Sequence, residues 1–436
     1  MPVSRRSWLS MTATSAIGAL ATAPRLVAAQ PLLDADLARR IRRVIEEYGQ
    51  QGFHRTGTTV DRRSGDWLFE QVDRLGIVAG REPFSLSRVD PGICRLLVGQ
   101  RRVEGLPLFD GTFTGADGVR GRLGPIDTNT EIALVEAPPN TAAAGPLGDA
   151  RRQHRHKAIV CVTRGGRPGL CPNNADAFLR PFGPPVLQVS SEDWPLLRDT
   201  AQRRDVVQLI ASVTRTAATA LNITAKITGV SQALPPLVVM TPRSGWYASV
   251  SERGGGIACW LELMRVLQHA RPPRDVLFVA SSGHELGHLG IDAFVAIRPG
   301  VVSEAVSWMH FGANIGAAVR ADATSQASDD DPERRHAAAA MASGNTIQAS
   351  DDRSEAVLSQ AMLAVDLGIS RRIPRGTVPG GEAEVVHRGG GRYVSVIGST
   401  ALFHNPDDHG AETADIDTIA RFTKAFAVVA KTLSAG

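Results

Sequence analysis

The sequence predicts an α/β fold: a three-layer sandwich with a mostly parallel, mixed central sheet, interrupted by an inserted, mostly β module. Two features predict it. After Pro236 the chain alternates short apolar runs with amphipathic segments of helical period. Between Gly99 and Thr228 it changes to short β-like runs separated by Gly and Pro. With 43% hydrophobic and 21% charged residues, the 436-residue chain can bury several cores, which argues against a disordered tail or a multi-span membrane protein.

The chain opens with Ser4-Arg5-Arg6-Ser7-Trp8-Leu9, an apolar small-residue stretch from Met11 to Ala23, and Val27-Ala28-Ala29. A charged start, a short apolar segment and a small-residue cleavage site make a signal peptide, and the twin arginine resembles a Tat signal. Residues 1–29 are therefore read as a leader, and the mature protein as periplasmic or secreted. The stretch falls below the roughly 20 apolar residues of a spanning helix, so no membrane association is expected after cleavage.

From there Leu37, Ile41, Val44, Ile45 and Tyr48 share one helical face, and Trp67, Leu68, Val72 and Leu75 another, closed by Gly76. In the β module, 99–228, strands are expected at Glu131 to Val135, Ala158 to Thr163, Pro185 to Val189 and Val206 to Ile210. The α/β domain comprises 30–98 and 229–436. Its strands are Leu237 to Met240, Val276 to Ala280, Ala305 to Met309 and Tyr393 to Ile397. Its helices carry Ile257, Trp260, Leu261, Met264 and Leu267, then Ile416, Ile419, Phe422, Phe426, Val429 and Leu433. The polar stretch from Ala317 to Arg353 reads as a surface insertion.

Only four of the 48 basic residues are Lys, and the arginines are spread along the chain, so the net charge of +4 does not point to nucleic acid. The four cysteines contain no CxxC pair, which argues against a zinc knuckle, while a bridge from Cys161 to Cys171 stays open.

Open α/β sheets bind ligands beyond the carboxyl ends of their strands. That rule collects Glu252, His284, Glu285, His310 and His404, two carboxylates and three imidazoles of the kind that hold Zn²⁺. His284-Glu285-Leu286-Gly287-His288 is a formal HExxH, the zinc motif of a zincin helix. It begins three residues after a strand and contains Gly287, which argues against such a helix. The zincin reading stands as an alternative.

The segment Asp275 to Gly287, ending Gly283-His284-Glu285-Leu286-Gly287, resembles the strand and "EELG" turn of the co-catalytic zinc aminopeptidase family, which includes glutamate carboxypeptidases and glutaminyl cyclases. His404-Asn405-Pro406-Asp407-Asp408 resembles its "HTPxD" segment, and Ser251 to Ala258 its "DD-x-x-G-x-A" loop. Arg55 to Thr58 is similar to its opening, and the β module stands where members carry a protease-associated insertion. The resemblance implies the three-layer fold, peptide or amino-acid amide substrates, and Zn²⁺ chemistry. It puts Glu252 in the place of the metal-bridging Asp, with Glu285 and His404 as ligands of the same zinc. His284 takes the place of the general-base Glu, and His310 that of an Asp on the second zinc. The family's "HxD" is here Thr241-Pro242-Arg243-Ser244, which removes the second metal's histidine.

The expected protein is thus an exported metallopeptidase-like hydrolase with one Zn²⁺ on Glu252, Glu285 and His404, and His310 or His288 as further donors. His284 is the expected base, His310 an oxyanion stabiliser, and Arg243 the group that binds a substrate carboxylate. A catalytically inactive binding protein and a glutaminyl cyclase-like aminoacyltransferase are the alternatives.

Overall fold

The computed structural model describes residues 35–318 and 344–436. The leader therefore lies outside the described residues. The described residues form one compact unit, built on a sheet of thirteen strands.

In chain order the strands are β1 Val78–Val98, β2 Arg101–Pro107, β3 Val119–Pro125, β4 Ile132–Ala137, β5 Ala158–Thr163, β6 Val186–Val189 and β7 Val206–Ile227. There follow β8 Leu237–Pro242, β9 Val276–Ser281, β10 Ser307–Phe311, β11 Thr346–Ala349, β12 Arg371–Arg372 and β13 Tyr393–Ile397. The central part runs β7-β9-β8-β10-β13-β11-β12. Its four middle strands, β9, β8, β10 and β13, are mutually parallel. β7 and β11 pair with them antiparallel.

Two faces of this sheet are covered because alternate residues of a strand point to opposite sides. Val239, Phe278, Met309 and Val396 pack against the helices Ala35–Gly49, Gly255–Ala270, Asp352–Leu363 and Ile416–Ala435. Val238, Met240, Val279 and Trp308 pack against the helices Leu289–Ala296 and Ala383–Arg388 on the other side. The first helix buries Leu37, Ile41, Val44, Ile45 and Tyr48, the face its sequence predicts. The three layers are as expected.

The insertion differs from expectation at its edges. β1 and β7 pair antiparallel from Val78 with Lys226 to Leu97 with Gln208, broken by an irregularity between Pro91 and Cys94. At its near end β7 pairs β9 in the central sheet, Ile223 with Ala280 to Ile227 with Val276. At the far end the ribbon joins β2, β6, β5, β4 and β3, and these seven strands pair in a closed ring. The 22-residue β7 replaces the five-residue strand expected at Val206 because its middle, Ser212 to Ala218, is rich in Ala and Thr and has no buried residue, so it carries little apolar alternation.

Two further expectations change. Thr346–Ala349 is a strand of the sheet and Asp352 starts a helix, so the second half of the polar stretch is structured. Residues 319–343 lie outside the described residues. Gly254, Gly255 and Gly256 all sit in helical backbone, and a Cβ on Gly255 would lie 1.8 Å from the Ile315 carbonyl oxygen. Close approach of the helix to the Ala313–Ile315 loop is what requires glycine there. All four cysteines are buried and free, so Cys161 and Cys171 do not pair. Among the described residues no helix is long and apolar enough to cross a membrane.

Candidate active site

The carboxyl ends of β8, β9, β10 and β13 point to one rim, and the loops that leave them bring the candidate residues there. Beyond β8 the chain makes the turn Val250–Gly254, which carries Glu252 and Arg253. Asp408 shapes this turn by accepting from the backbone N–H groups of Ser251 at 2.7 Å and Glu252 at 3.1 Å. Its own carboxyl is pushed up to about 6 by burial. Asp408 therefore orients Glu252.

Glu252 and His404 meet: Nε2 of His404 lies 3.5 Å from Oε1 of Glu252. The His404 Nδ1 donates to the Pro172 carbonyl at 2.6 Å, which places a proton on that nitrogen. His404 adopts φ of 55°, a left-handed conformation held by the packed loop around it. Nε2 of His404 and both carboxylate oxygens of Glu252 are buried without a hydrogen-bond partner. Arg253 approaches Glu252 Oε1 to 2.7 Å as a fully buried ion pair. Burial alone would raise the Glu252 pKa; Arg253, ahead of His404, pulls it down to about 2.

Glu285 faces elsewhere. One of its oxygens accepts from the Thr56 N–H and hydroxyl, both at 2.7 Å, and the other from the Ser244 hydroxyl at 2.7 Å. Those donors come from the Arg55 to Thr58 loop and from the segment after β8. Glu285 thus ties two loops together through both of its oxygens.

His284 opens a single 3₁₀ turn, His284–Leu286, followed by left-handed Gly287 and His288. The five residues of the HExxH string form no zincin helix. Their two imidazoles stand with ring centroids 5.0 Å apart. Nδ1 of His284 lies 3.5 Å from Oε1 of Glu382, a residue at the start of the helix Ala383–Arg388. The Ser281 hydroxyl donates to that same carboxylate. His310, on β10, contacts the Ser395 hydroxyl through Nδ1 at 2.8 Å, and its Nε2 is unpartnered. A Cβ on Gly381 would come within 3.0 Å of His310 and 3.7 Å of His284, so the bare glycine leaves room beside both rings. Burial, followed by the charge of Arg253, holds His284 well below its usual range, and burial takes His310 down to about 4. Both imidazoles are neutral near pH 7.

Arg243 does not face a substrate. It is wholly buried, 2.9 Å from Oδ1 of Asp61, and donates to the carbonyls of Asp61 and Leu221. A loop-locking role replaces the expected carboxylate-binding one.

Sequence reasoning missed Arg253, Glu382, Thr56, Ser244 and Asp61. Arg253 adjoins Glu252 and reads as half of a surface ion pair; only burial shows otherwise. Glu382 lies beyond any strand-end pattern, and its one signal is the Pro379-Gly380-Gly381 turn before it.

No protein-family model and no curated protein sequence matches the chain. Solved structures do. A zinc aminopeptidase from Bacillus subtilis superposes with a TM-score of 0.70 over 91% of this chain and 94% of its own, at 15% identity. The chain has the zinc-aminopeptidase fold. An aminopeptidase from Aneurinibacillus sp. strain AM-1 (TM-score 0.66, 13% identity, 90% and 93% covered) and a peptidase precursor from Shewanella amazonensis (0.67, 15%, 92% and 95%) share it.

On this zinc-aminopeptidase fold, the three ligands implied by the resemblance are not assembled. Glu252 and His404 are together, but Glu285 has both oxygens engaged by protein donors. Among the described residues no group of three or more His, Cys, Asp or Glu side chains is disposed to hold a metal ion. A catalytic zinc takes three protein ligands and an open position, so this donor set does not fit one.

Proposed function

We propose that the chain is an exported hydrolase of peptide or amino-acid amide bonds, with His284 as general base. The fold supports a peptidase-like hydrolase, and the twin-arginine leader supports export. The observation that carries the reading is the His284–Glu382 pair at the carboxyl end of β9. Nδ1 makes no hydrogen bond at this 3.5 Å separation; a proton held there toward the Glu382 carboxylate leaves Nε2 as the basic nitrogen, the arrangement a proton-accepting imidazole needs. His284 is 6% exposed while Glu252, Arg253, His310, Glu382 and His404 are 1% or less, so it is the least buried of these six side chains. Partly exposed His288 and Gly381 and exposed Gly380 flank it.

The test is turnover of a panel of aminoacyl anilides, dipeptides and amino-acid amides by the mature protein. His284→Gln is expected to lower kcat about 100-fold or more, in line with loss of a general base. A wild type that turns over none of the panel, or a His284→Gln variant with full activity, overturns the reading.

A further inference from the structure

We infer that the guanidinium of Arg253 is the electrophilic cation of this site, standing where the fold would otherwise call for a metal, so that the hydrolysis proceeds without one. This rests on the hydrolase reading above, but its decisive measurement does not require turnover.

The first support is an unsatisfied donor set. Arg253 is 1% exposed. Nε donates to the Ser244 carbonyl at 2.8 Å, while both Nη atoms are buried with no hydrogen-bond partner. The 2.7 Å approach of Nη2 to Glu252 is an ion pair outside hydrogen-bond alignment. Buried guanidinium N–H groups are expensive to leave unpaired. Nη hydrogens buried beside Glu252 without an aligned acceptor make a receptor for an oxygen that carries, or acquires, negative charge.

The second support is position. Arg253 is the charged group with the largest influence on Glu252 and on His284, and its charge also reaches His288, His310 and Tyr48. One cation therefore stands against Glu252 at 2.7 Å and acts on the imidazoles of His284, His288 and His310. A divalent ion between Glu252 and His404 would have to share Glu252 with a guanidinium already 2.7 Å away. The third ligand it would need, Glu285, is held by Thr56 and Ser244.

The reaction that follows is balanced by the chain's own groups. Nε2 of His284 takes a proton from water as the water oxygen bonds to the amide carbon, and the carbonyl electron pair moves onto oxygen, held by the Arg253 Nη hydrogens. The tetrahedral centre collapses, the C–N bond breaks, and the proton on His284 passes to the leaving nitrogen. One amide and one water become a carboxylic acid and an amine, with no change of oxidation state.

The experiment measures metal content and zinc affinity of the mature full chain beside its activity. Wild type is expected to purify with well under 0.1 equivalent of any transition metal, to keep its activity after exhaustive chelation, and to show no calorimetric zinc binding at micromolar concentrations. Arg253→Gly is expected to lose activity about 100-fold or more, as for loss of an oxyanion donor, and to regain part of it with added guanidinium ion. Because Arg253→Gly strands the Glu252 charge, the neutral pair Arg253→Met with Glu252→Gln is carried in parallel; it is expected to fold and stay inactive. Stoichiometric zinc in the wild type, or activity lost to chelator and restored by zinc, overturns the inference. So does an Arg253→Gly or double variant that folds and retains wild-type turnover. A wild type that is metal-free yet hydrolyses nothing in the panel refutes the hydrolase reading, and with it the inferred catalytic role of Arg253.

Discussion

Glu285 separates a loop-tying carboxylate from a metal ligand, and its removal has a calculable effect. Three donors converge on it at 2.7 Å: the Thr56 N–H, the Thr56 hydroxyl and the Ser244 hydroxyl, all buried. A hydrogen bond to a charged group is worth about 1.5–3 kcal/mol. Glu285→Ala strands all three donors, although the Thr56 hydroxyl can turn toward the Ser282 hydroxyl 3.4 Å away. The expected loss is about 4 kcal/mol, a large part of the 5–15 kcal/mol that ordinarily holds a domain folded. Glu285→Gln keeps one carbonyl oxygen for Thr56 and offers an amide nitrogen to Ser244, so it is expected to cost about 1–2 kcal/mol. Equilibrium urea unfolding of the mature protein reads both values. A Glu285→Ala protein within about 1 kcal/mol of wild type would refute the tie between the two loops. A Glu285→Gln protein that kept its stability but lost bound zinc would refute it too, since the carboxylate would then be a ligand.

Two more outcomes follow from buried charge. Asp61→Asn leaves the wholly buried Arg243 without its counter-ion and should cost about 3–5 kcal/mol. Arg243→Met added to Asp61→Leu should cost less than the sum of the single changes by about 2 kcal/mol, and additivity in a double-mutant cycle would refute the pairing. His54, sandwiched on Tyr48 at 3.9 Å with Nδ1 2.9 Å from the Ala248 carbonyl, is driven by burial from its ordinary 6.5 down to about 3. Its folded form resists protonation, so its contribution is complete above pH 6.5 and is lost as pH falls from there toward 3, by up to about 5 kcal/mol. His54→Gln should flatten the decline of the urea midpoint between pH 7 and pH 4; an unchanged slope would refute this.

Much of the fold was readable from local pattern. The helical face from Leu37 to Tyr48, the strands at Ala158, Val276 and Tyr393 and the closing helix at Ile416 are each dictated by where apolar side chains recur along a few turns or pleats. The β1–β7 ribbon was not, because its middle buries no residue of β7 and needs no apolar alternation, and its stability comes from pairing across more than a hundred residues. The rim of the site was equally readable: strand ends mark where loops converge, and Glu252, His284, His310 and His404 all sit there.

The sequence, then, settles which elements form and which chemical groups stand at the ends of the strands, since both follow from short-range periodicity and spacing. It leaves undecided which of those groups touch. Glu285 and Glu252 look equivalent as text; in space one is saturated by Thr56 and Ser244 while the other faces His404 and Arg253. Arg243 and Arg253, ten residues apart, differ in the same way: one is consumed by Asp61 and two carbonyls, and the other keeps its Nη groups free of hydrogen bonds. Hydrogen bonding and ion pairing fall off within a few ångströms, so partners contributed by distant parts of the chain decide each group's role, and those partners meet only after the sheet and its loops have packed.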